Sequence, residues 1–248
     1  MIDHDNLEEY SDPIHYDLEF GGETKKYQFY LDSAKEMPGT VLELACGTGL
    51  VTLPLAEAGI AIVGVDIAEP MLAYARVKGQ GLPAHFIQAD ARTFQSDQRF
   101  SLIYLTGNAF QAFLSDEDQL ALLRTVHQHL QPGGRFIFET RNPAATDLSD
   151  EEESPWSTFT DQDGQLVQVS GSQTYDASRS IMHWVTYRTW PHKRTISRIA
   201  CRFTDHDALI ELLTSNGFEI QHQYADWDRT PFVPSSDLMI MVCAKAES

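Results

Sequence analysis

Few cysteines, few cations and no long apolar run: each shortage in this sequence removes a class of explanation. Cys46, Cys201 and Cys243 are the only thiols in 248 residues. They are odd in number, far apart and free of CxxC or Cys/His spacing, so neither a disulfide framework nor a metal ligand set is expected. Reduced thiols in a cytoplasmic protein are the expectation. Lysine and arginine total 18 against 36 aspartates and glutamates, a formal charge of −18. Polyanions gain affinity from the counterions that cations displace, so no nucleic-acid partner is expected. No stretch is apolar for long enough to span a bilayer, and the opening MIDHDNLEEYSDP lacks a hydrophobic signal region, so no membrane partner is expected either. Disorder throughout is excluded, because 42% hydrophobic residues suffice for a core.

What is present is an alternation. VLELA from Val41, AIVGVDI from Ala61, AHFIQAD from Ala84, FSLIYLT from Phe100 and RFIFET from Arg135 read as buried strands. Between most of them lie helical stretches: LVTLPLAEAG ending at Gly59, EPMLAYARVKG with Pro70 in its first turn, and SDEDQLALLRTVHQHL capped at Ser115. A first helix precedes them in GGETKKYQFYLDSAKEM, where Tyr27, Tyr30, Leu31 and Ala34 form a stripe. Strands and helices in this rhythm predict an α/β fold, a doubly wound, mainly parallel sheet. After Asn142 the rhythm changes. DLSDEEESP, Asp147 to Pro155, reads as a solvated acidic linker. Two-periodic runs follow to Thr204 and predict an antiparallel β insertion. DHDALIELLTSNG, capped at Thr204 or Asp205, then resumes the helices, and GFEIQHQYADW and DLMIMVCAKA close the chain as strands.

The turn in VLELACGTGLVTLPLAEAG carries the chemistry. A dinucleotide fingerprint needs a third small residue where Thr52 stands, and Glu43 just upstream repels a pyrophosphate but attracts an ammonium. A nicotinamide oxidoreductase is the weaker reading. An amino-acid nucleoside fits better. The helix start after Gly49 suits its carboxylate, Glu43 its ammonium, Asp66 at the end of the second strand its ribose diol, and Asp90 at the end of the third its adenine amino group, with the Ala91 N–H for a ring nitrogen.

Together ELACGTG, VGVDIAEPML, QADART, LTGNAF and LQPGGRFIFE resemble the class I S-adenosylmethionine-dependent methyltransferases, from about Tyr10 to Thr140 and again in the final helix and strand pair. The resemblance implies a Rossmann-like seven-stranded sheet whose seventh strand runs antiparallel between the fifth and sixth. Residues 21–143 and 204–248 are then the cofactor-binding core, 144–203 the insert and 1–20 a lid. It also implies S-adenosyl-L-methionine as cofactor and S-adenosyl-L-homocysteine as product. Tyr16, Glu43, Ala45, Gly47, Gly49, Asp66, Ile67, Met71, Asp90, Ala91 and Thr106 would hold the cofactor. Ala45 stands where many members have glycine. The expected reaction moves a methyl group to an N or O atom of a small-molecule acceptor; a non-catalytic cofactor-binding regulator is the alternative. Asn108 and Phe110, after the fourth strand, and His183 as a general base are the catalytic candidates. Tyr10, Glu139, Arg141, Tyr187 and Arg188 are the acceptor candidates. Alternation places His183 and Tyr187 on one face of the insert and Trp184, Arg188 and Trp190 on the other, with one face also a candidate homodimer surface.

Overall fold

A computed structural model describes residues 4–246. The core elements are α2 (Thr24–Glu36), β1 (Val41–Leu44), α3 (Thr52–Glu57), β2 (Ile62–Asp66), α4 (Glu69–Lys78), β3 (Ala84–Gln88), β4 (Phe100–Leu105), α5 (Asp116–His129) and β5 (Leu130–Arg141). The core resumes with α6 (His206–Ser215), β10 (Phe218–Tyr224) and β11 (Leu238–Lys245). They build a seven-stranded sheet in the order β10-β11-β5-β4-β1-β2-β3, parallel from β3 through β5, with β11 antiparallel to both β5 and β10. Every residue of β1 and β4 is buried, as apolar strands covered on both faces must be. On one face Leu122, Leu123 and Val126 of α5 pack with Leu209 and Leu213 of α6. On the other, Phe29, Tyr30 and Ala34 of α2 pack with Leu55 of α3. Among the described residues no helix is long and apolar enough to cross a membrane.

Local signals set several boundaries. Ser115 Oγ accepts the Asp118 N–H at 3.1 Å ahead of three acids in the first turn of α5. At α6, Asp205 occupies the cap position with no side-chain hydrogen bond, while Thr204 Oγ1 accepts instead from Gln119 Nε2 at 3.2 Å.

The insert is a second sheet of four antiparallel strands, β6 (Glu151–Thr160), β7 (Leu166–Asp176), β8 (Ile181–Thr189) and β9 (Arg194–Arg202). The acidic run expected to be a linker is therefore partly strand. Glu151, Glu152 and Glu153 lie on the outer strand with exposed side chains, Glu151 pairing with Gln173 of β7 before the register shifts ahead of Ser154. Pairing between β6 and β7 slips between Pro155 and Ser157, leaving Trp156 as a bulged residue.

Ahead of the core, a 3₁₀ turn at His4–Tyr10 and the helix α1 (Pro13–Phe20) form a strap. Asp12 caps α1 by accepting the His15 N–H at 3.1 Å, with proline at its start. The first three residues of the expected lid lie outside the described residues. The rest is fastened to the insert. Asn6 exchanges two hydrogen bonds with the Ala200 backbone, at 3.1 and 2.6 Å, and Arg198 reaches Glu8 at 3.2 Å. Asp17 ties the other end to the core through Thr48 and Lys78.

Candidate active site

The carboxyl ends of β1, β2, β4 and β5 meet the strap and the insert around a cavity of about 1060 Å³. That is the upper end of the range for small-molecule sites and leaves room for two ligands side by side. Glu43 inside β1, Asp66 at the end of β2 and Asp90 just after β3 all line it. So do Tyr10, Tyr16, Ala45, Gly47, Ile67, Met71, Ala91, Thr106, Asn108, Glu139 and Arg141.

The floor is acidic and dry. Glu43 is 1% exposed, and its carboxylate accepts from the Thr52 hydroxyl, from Tyr104 OH at 3.0 Å and from Thr106 Oγ1 at 3.5 Å. Burial lifts its carboxyl to about 7, although the Thr52 and Tyr104 hydroxyls and the charge of Lys26 pull the other way. Glu139, also 1% exposed, accepts from the Gly107 N–H at 2.7 Å, Trp227 Nε1 at 3.0 Å and Tyr30 OH at 3.1 Å. Asp66 accepts the Gly47 N–H at 2.7 Å on one oxygen and the Ala68 N–H at 2.8 Å on the other. Burial raises its pKa against those backbone donors. The turn that brings these groups together is bent through left-handed backbone at Ala45 (φ 57°) and Gly47 (φ 53°). At Ala45 that conformation costs a residue with a Cβ roughly 1–2 kcal/mol, strain of the kind stored at functional sites.

After β4 the chain makes two more left-handed residues, Gly107 (φ 65°) and Asn108 (φ 58°). Asn108 Oδ1 is buried and accepts no hydrogen bond among the described residues. Asn108 lines the cavity, and a buried acceptor atom without a donor is a group that a ligand N–H or O–H would satisfy. Glu139 holds this turn through Gly107.

At the opposite end Asp90 is already engaged. Arg92 reaches both its oxygens, at 2.7 to 3.1 Å, and also binds Asp118. Partial burial works to raise the Asp90 pKa, but the Arg92 hydrogen bonds and charge outweigh it and hold the carboxyl low. Its carboxylate therefore has fewer free lone pairs for an adenine amino group than the sequence implies.

Five candidates sit away from the cavity. Gly49 packs against the Leu53 and Phe86 side chains instead, its φ of 79° serving the turn. Phe110 is 1% exposed and stacks on Phe138 with ring centroids 4.5 Å apart, so it belongs to the core. His183 is exposed, and Tyr187 lies under the Arg194 guanidinium at 4.1 Å. Both stand on the face of β8 that turns away, because alternation sends Trp184 and Thr186 into the cavity wall. Arg188 shares the Trp184 face, but its guanidinium is taken by Glu9, by Glu19 at 2.5 Å and by Ser197 Oγ at 2.8 Å. It clasps the strap to the insert and is closed to an acceptor.

Other residues at the site were not singled out by the sequence. Lys26 lines the cavity, one helical turn before Tyr30 on the buried side of α2, a spacing that could have marked it. Trp227 sits beneath the Lys26 ammonium, 5.6 Å from its ring centroid. Trp156, Gln173 and Trp184 come from the insert. Which insert face looks inward depends on how the second sheet docks, and no local pattern encodes that.

The donor set suits an amino-acid nucleoside. Glu43 and Glu139 suit an ammonium, Lys26 a carboxylate, Asp66 a diol, and the Asp90–Arg92 corner with the Ala91 N–H an adenine.

A family model described as a methyltransferase domain matches residues 41–134. The putative methyltransferase YqeM of Bacillus subtilis is 25% identical over 224 residues, 88% of this chain and 89% of that protein. The cypemycin N-terminal methyltransferase of a Streptomyces species is 34% identical over 116 residues, a match that spans 46% of this chain and about half (47%) of that protein. Among solved structures, the CcbJ methyltransferase from Streptomyces caelestis superposes with a TM-score of 0.82 at 22% identity, covering 96% of this chain and 98% of that one. At that identity the likeness speaks for the fold.

Proposed function

We propose that this chain, a class I S-adenosylmethionine-dependent methyltransferase, transfers the methyl group to the nitrogen of a small-molecule amine. When bound, S-adenosyl-L-methionine supplies a methyl group made electrophilic by its sulfonium. The protein's task is alignment and exclusion of water, which together are worth up to ~7–11 kcal/mol in favourable cases. Glu43, Lys26 and Asp66 fix the cofactor's charged and hydroxyl groups. Tyr10 and Tyr16 on the strap, ring centroids 5.9 Å apart, cover the site with aromatic faces that favour a cation. Burial raises the pKa of both phenols, so they stay neutral and serve as walls or donors, not bases.

The observation that carries the nitrogen reading is the unpartnered Asn108 Oδ1. An amine N–H donated to it holds the nitrogen lone pair facing the methyl group, and a neutral amine needs no base before attack. A hydroxyl acceptor asks for a base, and among the described residues no histidine lines the cavity. The relative named for an N-terminal acceptor points the same way.

The test is product analysis with purified protein, labelled S-adenosylmethionine and matched panels of small amines and alcohols. Methylated amines should dominate. Asn108→Ala should lower kcat by about 10- to 100-fold, on the scale of a lost hydrogen bond to a buried group, with cofactor affinity within about twofold. Methylation confined to alcohols would overturn the nitrogen assignment.

A further inference from the structure

Three arginines stand in or beside the cavity wall, and two of them are fully employed. Arg92 holds Asp90 and Asp118, and Arg188 holds Glu9 and Glu19. Arg141 is different. It leaves β5 on the same face as Glu139, lines the cavity, and makes no ion pair among the described residues. A single N–H, on Nη1, donates to Gln111 Oε1 at 2.8 Å. Gln111 is itself fully buried and anchored on the Arg202 carbonyl at 3.3 Å, so it braces the guanidinium without neutralising it. Trp184 stacks beneath at 5.1 Å. Among the described residues four of its five donors have no partner, on a half-buried cation in a cavity otherwise rich in acids.

The wall around it is built for a flat apolar body. Trp184 Nε1 donates to Gln173 Oε1 at 2.9 Å, which fixes its ring. Trp156, the bulged residue of β6, lays its indole across Gly171 of β7, where an added Cβ would fall 2.1 Å from the ring. A bulge that re-aims one side chain beside a site is a recurrent device. Here it turns an aromatic ring into the same compartment as Arg141.

We infer that Arg141, backed by Trp184 and Trp156, forms an acceptor subsite for a carboxylate carried on an apolar or aromatic body. The inference rests on the proposed function and narrows its acceptor to amines bearing a carboxylate. A guanidinium fork matches a carboxylate through two parallel hydrogen bonds. A phosphate or diphosphate is the poorer match. It would bring two or more charges to the Arg141 guanidinium, in a cavity that also presents Glu139 and in a chain of −18.

The experiment uses the full chain loaded with S-adenosylhomocysteine and two probes of equal shape, phenylacetate and phenylacetamide, with binding followed by ligand-observed NMR titration. Phenylacetate should bind at least about tenfold tighter than the amide. Arg141→Met should abolish that preference and Arg141→Lys should keep part of it, while S-adenosylhomocysteine affinity, measured by calorimetry, certifies that each variant is folded. Equal binding of the two probes, no binding of phenylacetate, or a preference that survives in Arg141→Met would each overturn the subsite. The parent reading fails separately, through methylation of alcohols alone in the panel above, whatever the carboxylate does.

Discussion

Glu43 carries its charge only at a cost. An unfolded glutamate ionises near pH 4.3, whereas burial holds the folded group protonated until about 7. Between those values the native state binds the extra proton, so stability falls as pH rises, and the fall levels off above 7. A gap of that size is worth up to roughly 3–4 kcal/mol. Glu43→Gln, which removes the titration, should flatten the unfolding free energy of the cofactor-free protein between pH 5 and 8, as followed by denaturant titration. The cofactor's ammonium inverts the balance, because it favours the ionised carboxylate. Affinity for S-adenosylmethionine should therefore climb as pH rises through 7 in the unmodified protein and stay level in Glu43→Gln, by calorimetry at pH 6, 7 and 7.5. A pH-independent affinity in the unmodified protein would remove Glu43 from the ammonium site. Residues of this kind were legible in the sequence because an acid near the carboxyl end of an apolar strand in a parallel sheet is carried towards one edge. Gly49 and Phe110 misled because a motif gives the turn and leaves open which of its side chains face outward.

At the scale of elements, a buried ion-pair cluster fastens the strap to the insert. Arg188 is 11% exposed and its partners Glu9 and Glu19 are 9% and 8%. Burial works against the guanidinium's charge, but the two carboxylates prevail and raise its pKa. Removing one member of such a buried group strands the others, so the strap should lift away instead of enduring the mismatch. Arg188→Met should speed S-adenosylmethionine dissociation by about tenfold or more in stopped-flow measurements, equivalent to ~1.4 kcal/mol. An unchanged rate would mean that the strap does not seal the site. Most core strands and helices were readable from periodicity, as was an antiparallel insert, while the antiparallel last strand came from the family resemblance and the start of β6 was read as a linker. The clasp was not. Periodicity gave Arg188 its correct face, but the acids that consume it lie some 170 to 180 positions earlier, and no sequence spacing links them.

For the whole molecule, the cavity joins the core edge, strap and insert, so a ligand that filled it would hold all three together. S-adenosylhomocysteine at 100 times its dissociation constant should stabilise the fold by ~2.7 kcal/mol. In a chain of 248 residues that corresponds to a rise of about 5–10 °C in Tm by calorimetry. NAD at the same concentration should leave Tm unmoved; a matching rise would reopen the nicotinamide reading.

The knot between Asn6 and Ala200 spans 194 positions of chain. On a ribosome adding ~5–20 residues per second, the opening segment waits about ten seconds or longer for its counterpart to emerge. The strap thus cannot settle until β9 has been made, 194 positions after Asn6, and the chamber acquires its roof only then.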